Sequence, residues 1–239
     1  AELVEKHVNI NRLLELTKPV ATAVVPISAG RHIYKREPSF PIAVACDPAF
    51  NFVYEANIRY LHHLGEVTYF SPLADTSLPD AGFVYLPGGY PELYLAALSA
   101  NRQMLQSIRR YVESGGKLLA ECGGMMYLCD EIRDKNGDVY PMAGVLHQSA
   151  TMENMKLRLG YRTLLYNETR LKGHEFHYSR LVEQQNPLPS CAVAYTAKGV
   201  ETDTPLYHYK NVWAGYTHLY WADPVGNEWF TKFVIDGNT

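Results

Sequence analysis

A cysteine followed by two glycines, Cys122-Gly123-Gly124, is the stretch of this sequence best suited to chemistry. The largely apolar run Lys117–Glu121 leads into the cysteine, and a segment of helical character follows the glycines. This pattern predicts a strand, a sharp turn and a helix, with the thiol presented at the turn as in a nucleophile elbow. A position at the start of a helix favours the thiolate, the reactive form of cysteine. The alternative is a buried structural cysteine, because free cysteine is among the most buried residue types.

A second glycine-rich turn, Leu86-Pro87-Gly88-Gly89-Tyr90-Pro91, also follows a predicted strand. The carboxyl ends of neighbouring parallel strands meet at one edge of a sheet, so this turn should lie near Cys122. The backbone N–H groups of Gly89 and Gly123 could then stabilise an oxyanion formed by attack of the thiolate. Tyr90 is a candidate for contact with the substrate. The alternative for this motif is a simple tight turn.

Histidine is the usual general base for a cysteine nucleophile, and the chain contains nine histidines. His218 follows the apolar stretch 212–217 and therefore lies at the end of a predicted strand. His174 and His177 are the other candidates. The residues alone do not decide between these histidines.

The segment Gly173-His-Glu-Phe-His-Tyr178 invites a metal-binding interpretation, but its spacing argues against one. In a strand, His174 and His177 would point to opposite faces because side chains alternate. The helical HExxH spacing is not present. We therefore predict no metal, and a polar strand lining a cleft, with Glu175 and His177 on one face as candidates for substrate binding.

The composition limits the class of protein. The chain has 239 residues and a net charge of −3, with acids and bases interspersed, so we expect neither a nucleic acid nor a membrane as partner. We find neither an apolar run of transmembrane length nor a signal peptide. The four cysteines lack CxxC spacing, which indicates reduced thiols and a cytoplasmic location. A homodimer is compatible with these observations.

Alternating strand and helix patterns between residues 41 and 132 predict an α/β fold. Its core is a doubly wound, mostly parallel sheet with helices on both faces, as in flavodoxin-like proteins. The predicted strands of this half are 42–46, 67–70, 83–86 and 117–121, and the predicted helices are 54–64, 101–113 and 125–132. Further strands are predicted at 144–146, 161–166, 174–178, 192–196, 206–209 and 212–217, and a last helix at 227–235.

The beginning of the chain has a different character. Residues 1–17 have helical apolar spacing, and residues 18–40 contain three prolines and a glycine, which is typical of a linker. We expect residues 1–17 to be the last helix of a preceding domain and residues 41–239 to form the domain described above.

Five stretches resemble the C-terminal glutamine amidotransferase domain of the cobyrinic acid a,c-diamide synthase family. The resemblance covers residues 41 to 235 approximately, and the five stretches occur in the family's order. They are Phe70-Ser-Pro-Leu-Ala-Asp-Thr76, Leu86-Pro-Gly-Gly-Tyr-Pro-Glu-Leu93, Ala120-Glu-Cys-Gly-Gly-Met-Met-Tyr-Leu128, Leu157-Arg-Leu-Gly-Tyr161 and Gly173-His-Glu-Phe-His-Tyr-Ser179. The resemblance implies a class I glutamine amidotransferase-like fold, with Cys122 as nucleophile and His218 as general base and acid.

The resemblance also implies a reaction shared between two domains. A P-loop domain binding ATP and Mg²⁺ would activate carboxylates of a corrin-type tetrapyrrole. The domain seen here would need no cofactor and would hydrolyse glutamine to supply ammonia for amidation of the a and c carboxylates in cobalamin biosynthesis. No G-x-x-x-x-G-K-[ST] motif occurs in the sequence, so we expect ATP to bind in the preceding domain.

One departure from the wider class concerns the catalytic histidine. Many class I amidotransferases carry a Glu two residues after it, and here that position is Tyr220. The resemblance thus implies a Cys–His dyad and leaves open what orients His218. The alternatives to an amidotransferase are a non-catalytic tetrapyrrole-binding or docking module and a redox thiol protein of the same fold.

Overall fold

The structure is a computed structural model that describes residues 6–17 and 40–236. In the first range, helix α1 spans Ile10–Leu16, and the side chain of Asn9 accepts a hydrogen bond from the backbone N–H of Arg12 at its start. No residue of α1 is buried. The chain divides into two units between residues 37 and 38, and residues 40–236 are described separately. Most of the predicted linker, 18–40, lies outside the described residues.

Strands and helices alternate in the first half of residues 40–236, and strands predominate in the second half. The strands are β1 (Phe40–Ala45), β2 (Gly65–Phe70), β3 (Phe83–Leu86), β4 (Lys117–Glu121), β5 (Glu131–Arg133), β6 (Val139–Pro141), β7 (Ser149–Thr151), β8 (Arg158–Tyr166), β9 (Thr169–His177), β10 (Arg180–Leu181), β11 (Val193–Thr196), β12 (Glu201–Thr202), β13 (Leu206–Tyr209), β14 (Val212–Gly215) and β15 (His218–Leu219). The α-helices are α2 (Glu55–Leu64), α3 (Leu95–Ala100), α4 (Arg102–Glu113), α5 (Gly123–Leu128) and α6 (Pro224–Thr231). None of the helices in the described residues has the length and apolar character needed to span a bilayer.

The central sheet has six strands in the order β13-β14-β4-β3-β1-β2. Its pairs are parallel except for the edge hairpin β13–β14. Strands β3 and β14 are buried at every position, because a parallel sheet with both faces covered needs apolar side chains on both sides. This arrangement confirms the predicted doubly wound sheet.

Each face of the central sheet carries its own apolar core. Helices α3, α4 and α5 cover one face, where Met104 and Ile108 are fully buried. Helices α2 and α6 pack on the other face together with the antiparallel strands β8, β9 and β11. Full burial of an aliphatic or aromatic side chain contributes about 1.5–3 kcal/mol, so both layers stabilise the sheet.

The second half of the chain forms two further sheets, with the strand orders β12-β11-β8-β9-β15 and β10-β7-β5-β6. Strand β15 pairs antiparallel with β9, and His218 lies opposite His174 in the register. Strand β14 pairs with β4 in the central sheet, and β15, which follows closely in the chain, pairs with β9. The chain therefore leaves the central sheet near the end of β4 and joins β9 there.

Three sequence-based assignments were wrong in detail. The predicted strand 144–146 is an irregular segment: the N–H groups of Val145 and Leu146 both bond the carbonyl of Leu128, at the end of α5. The predicted helix 125–132 instead begins at Gly123 and ends at Leu128, since the chain next enters β5. The last helix begins at Pro224, where Asp223 caps it, and residues 232–236 continue as a π-helix.

Candidate active site

Cys122 occupies a strained turn between β4 and α5. Its backbone angles are φ 48° and ψ −106°, which few non-glycine residues adopt and which cost on the order of 1–3 kcal/mol. The flanking structure holds the turn, because the Cys122 N–H donates to Gly215 O at 2.7 Å and its carbonyl accepts from Met126 at 3.0 Å. The predicted strand, sharp turn and helix are confirmed.

The two glycine-rich turns touch beside the thiol. A Cβ atom on Gly123 would lie 2.7 Å from Pro91 Cδ and 3.3 Å from the amide nitrogen of Gly89. Gly89 itself has φ 156°, and a Cβ there would lie 2.2 Å from Ala49 O. A larger residue at either glycine would therefore push the turns apart. The role of the two amides in holding an oxyanion stays a prediction.

Cys122 and His218 line the same cavity, which has a volume of about 280 Å³. The strand pairing brings them together, because Gly215 lies opposite Glu121 at the end of β4 and His218 follows shortly after. The remaining lining residues come from the glycine turn, the loop after β1 and strand β9. They are Phe52, Gly89, Tyr90, His174 and Phe176. A larger pocket of about 480 Å³ beside α6 has no cysteine or histidine in its lining.

The imidazole of His218 is buried and uncharged. Its ring packs against Phe52, with 4.3 Å between the ring centroids, and sits so close to Gly88 that a Cβ there would lie 2.1 Å from its Cε1. Burial, reinforced by repulsion from His174 and His177, lowers the pKa of His218 to about 3. The ring is therefore neutral at pH 7, and the same burial disfavours its protonated form.

The thiol of Cys122 is protonated in this resting arrangement. Burial raises its pKa to about 12, and the nearby charge of Glu92 adds to the shift. The Sγ atom lies 3.8 Å from the carbonyl oxygen of Phe176, to which its hydrogen can point. The backbone N–H of Gly123 at the start of α5 lowers the pKa of the thiol, as expected for this position, but burial outweighs this effect.

Glu175 and His177 share one face of β9, as predicted from strand alternation. His177 Nε2 lies 2.7 Å from Glu175 Oε1, and Arg162 and Thr204 bond the other carboxylate oxygen. Burial raises the pKa of Glu175, but these hydrogen bonds and the charge of Arg162 outweigh it and leave the pKa lowered. The His177 ring stacks on Tyr216 at 3.7 Å. Glu175 is thus satisfied by protein groups.

The remaining sequence candidates lie near the thiol. Tyr90 is 45% exposed and lines the cavity of Cys122, and His177 lines a narrow cleft that also includes Cys122 and Tyr90. Glu175 lines a separate pocket of about 300 Å³, which His177 also lines and Cys122 does not. The substrate roles of these side chains stay predictions.

Sequence reasoning missed Glu121 as a site residue. Its carboxylate is 2% exposed and lies 3.9 Å from His218 Nδ1. The available signal was a charged residue at the end of an apolar strand, next to the cysteine. Among the described residues, no group of three or more His, Cys, Asp or Glu side chains is arranged to hold a metal ion.

Comparison with solved structures identifies the fold. The PurLQS structure from Thermotoga maritima matches with a TM-score of 0.53 at 16% identity, over 83% of this chain and 96% of that one. A crystal structure of a glutamine amidotransferase matches with the same TM-score and identity, over 81% of this chain and 98% of that one. At these identities the likeness shows a shared fold.

Sequence comparison identifies relatives at higher identity. Hydrogenobyrinate a,c-diamide synthase of Pseudomonas aeruginosa is 40% identical over 185 residues, which are 75% of this chain and 41% of that protein. Cobyrinate a,c-diamide synthase of Clostridium acetobutylicum is 36% identical over 98% of this chain and 53% of that protein. The chain thus spans about half the length of the curated relatives it matches. Residues 41–225 match the family described as the CobB/CobQ-like glutamine amidotransferase domain, and the chain belongs to this family.

Proposed function

We propose that this chain is the glutaminase domain of an ATP-dependent cobyrinic acid a,c-diamide synthase. It would hydrolyse glutamine and supply ammonia for amidation of a corrin-type substrate. The observation that carries the proposal is the strained Cys122 turn, which opens into the same cavity as the neutral, buried His218. The names of the relatives support the choice of acceptor.

The reaction begins with transfer of the thiol proton. With Cys122 as thiol and His218 as neutral imidazole, His218 takes the proton as Sγ attacks the side-chain carbonyl carbon of glutamine. The thiolate then exists only during attack, which suits a buried cysteine with a raised pKa. The imidazolium formed in this step next donates its proton to the departing ammonia.

The glycine turns stabilise the oxygen that becomes negative. The N–H groups of Gly89 and Gly123 would be the donors to this oxygen, and loss of one such donor typically costs about 2.7–4 kcal/mol of barrier. Water then hydrolyses the thioester, with His218 again as base, and glutamate leaves. The cavity of about 280 Å³ has room for a side chain the size of glutamine's.

The acceptor reaction belongs to the rest of the enzyme. ATP and Mg²⁺ would be bound by the domain that precedes residues 41–239, since this sequence has no P-loop motif. That domain would activate the carboxylates of the corrin-type substrate. Ammonia released from glutamine at Cys122 would then travel from residues 41–239 to the activated carboxylates.

One alternative is disfavoured by the site itself. A redox thiol protein presents its reactive sulfur to solvent, but Cys122 is 5% exposed. A non-catalytic docking module is separated from the proposal by the experiment below.

The test compares two buried cysteines in the full-length protein. We expect Cys122→Ala to abolish glutamine hydrolysis, because the nucleophile is gone, while added ammonia still supports amidation of the corrin substrate. Cys129→Ala is the matched control, because Cys129 is also buried but does not line the cavity that Cys122 shares with His218. It should retain glutaminase turnover. Glutamine hydrolysis that persists in Cys122→Ala would refute the proposal.

A further inference from the structure

Glu121 has no part in the mechanism above, yet its carboxylate lies beside the imidazole of His218. Glu121 Oε2 and His218 Nδ1 are 3.9 Å apart, and both side chains are almost fully buried. The Nδ1 atom has no hydrogen-bond partner among the residues that the structure describes. A buried polar atom without a partner is uncommon in folded proteins, so its position next to a carboxylate calls for an explanation.

Neutral groups hold the Glu121 carboxylate in place. The hydroxyl of Tyr85 donates to Oε2 at 2.6 Å, and the backbone N–H of Leu219 donates to Oε1 at 3.0 Å. The indole N–H of Trp221 adds a longer contact to Oε1 at 3.4 Å. These donors fix the position of the carboxylate without supplying a positive charge. Within residues 40–236, the only side chain in ion-pair range that can become positive is His218.

Other acidic or polar groups are poorly placed to orient the histidine. Tyr220, which stands two residues after His218, is 39% exposed and contacts Tyr54 ring edge to ring face, with 5.8 Å between the centroids. Glu175 already accepts hydrogen bonds from Arg162, His177 and Thr204. Glu121 is therefore the buried carboxylate that remains for His218.

We propose that Glu121 is the positioning residue of His218: it accepts a hydrogen bond from Nδ1–H and so turns Nε2 toward the sulfur of Cys122. The inference rests on the proposed glutamine hydrolysis. The thiol proton moves to Nε2 while Nδ1 keeps its own proton, and the resulting positive charge lies next to the carboxylate. The Nε2 proton then leaves with ammonia. The separation of 3.9 Å is that of the free protein, in which such contacts are often longer than in the reacting complex.

The charges in the resting site agree with this role. Burial raises the pKa of Glu121 to about 7, although the hydrogen bonds that it accepts act to lower this pKa. Burial lowers the pKa of His218. The carboxylate of Glu121 thus has no positive partner while His218 is neutral. Protonation of His218 to the imidazolium supplies that partner. The titratable groups that face this pair are Tyr54, Tyr85, Cys122, His174, Glu175 and His177.

The test replaces the charge of Glu121 and retains its shape. In a serine-protease triad the comparable Asp→Asn change lowers kcat by about 10⁴-fold, and for Glu121→Gln we expect a fall of at least about 10²-fold. KM for glutamine should stay within about threefold, since Glu121 does not line the cavity of Cys122. Tyr85→Phe is the matched control. It removes a hydrogen bond to the same carboxylate but leaves the charge, so its kcat should fall by less than about tenfold.

The outcomes separate this inference from the proposed function. If the wild type hydrolyses glutamine and Cys122→Ala does not, the function stands. Turnover by folded Glu121→Gln within about threefold of wild type would then overturn the role of Glu121 alone. A wild type that hydrolyses no glutamine, even with ATP and the corrin substrate present, would overturn both.

A spectroscopic measurement keeps the inference open to refutation if Glu121→Gln fails to fold. The ¹⁵N chemical shifts of labelled His218 in the wild type report which ring nitrogen carries the proton. We expect the Nδ1–H tautomer, with Nε2 unprotonated. The opposite tautomer would overturn the inference, because Glu121 would then face a nitrogen without a hydrogen to donate.

Discussion

Glu121 and Glu175 are both almost fully excluded from solvent, but Glu175 lines a pocket of about 300 Å³ and the two carboxylates differ in what surrounds them. Glu175 is 1% exposed, and its partners include the guanidinium of Arg162 and the imidazole of His177. Glu121 is 2% exposed and is held by a tyrosine hydroxyl, a backbone N–H and an indole N–H. The pKa of Glu175 is lowered, whereas burial raises the pKa of Glu121 to about 7.

This difference shows how one fold uses a buried carboxylate in two ways. A buried charge is costly unless a partner neutralises it, and Glu175 has that partner in the resting protein. The ion pair between Glu175 on β9 and Arg162 on β8 therefore links the two strands in the resting protein. Glu121 lacks such a partner, and the nearest group that can supply a positive charge is the histidine proposed to gain one during the reaction. Under the proposed role, the burial of Glu121 would serve the reaction more than stability.

The largest expected effect on stability comes from removing the cation beside Glu175. Arg162→Ala leaves the buried Glu175 carboxylate with His177 but without its guanidinium, and we expect a cost of about 3 kcal/mol, the lower end of the range for a broken buried pair. The free energy of unfolding in urea should fall by this amount. A loss no greater than that of an exposed ion pair would mean that Glu175 and Glu121 do not differ as described.

The next effect is a dependence on pH that is specific to Glu121. Its pKa is about 7 in the folded protein and 4.5 in the reference state, so the folded protein binds the proton more tightly between these values. Stability from this group is present below pH 4.5 and is lost as the pH rises to 7. Glu121→Gln removes this loss, which amounts to about 3 kcal/mol at most.

The measurement is the free energy of unfolding of wild type minus that of Glu121→Gln, at several pH values from 4 to 8. This difference removes the opposite contribution of His218, whose lowered pKa makes stability rise with pH up to about 6.5. The difference should fall as the pH rises and then level off. Tyr54 and Tyr85 stay protonated throughout, because burial raises the pKa of both. A flat difference would contradict the assignment.

The smallest expected effect is that of the exposed pair between Arg158 and Asp203. Both carboxylate oxygens of Asp203 contact the guanidinium, but the two side chains are 42% and 72% exposed. Arg158→Ala should change the free energy of unfolding by less than about 1 kcal/mol, since water and salt screen such pairs. It is the matched control for Arg162→Ala under the same conditions. A larger loss would show that the pocket around Arg158 also contributes to stability.

Local patterns were sufficient to predict one half of the molecule. The apolar runs and glycine turns predicted the parallel strands, the sharp turn at Cys122 and its neighbour at Gly89. They succeeded because a buried parallel strand must be apolar throughout, and a tight turn needs glycine where backbones approach closely. The stretch 144–146 was misread because its residues are apolar, although their N–H groups bond the end of α5 instead of a strand.

The sequence by itself determined the elbow at Cys122, the two glycine turns and the class of fold, because each depends on residues adjacent in the chain. Only the tertiary structure brought His218 to the cavity of Cys122 and placed Glu121 beside its Nδ1, because both depend on the pairing of β14 with β4 and of β15 with β9. The tertiary structure also decided the raised pKa of the Cys122 thiol and the lowered pKa of the His218 imidazole. Both shifts arise chiefly from desolvation, and desolvation depends on what the whole chain packs around a group.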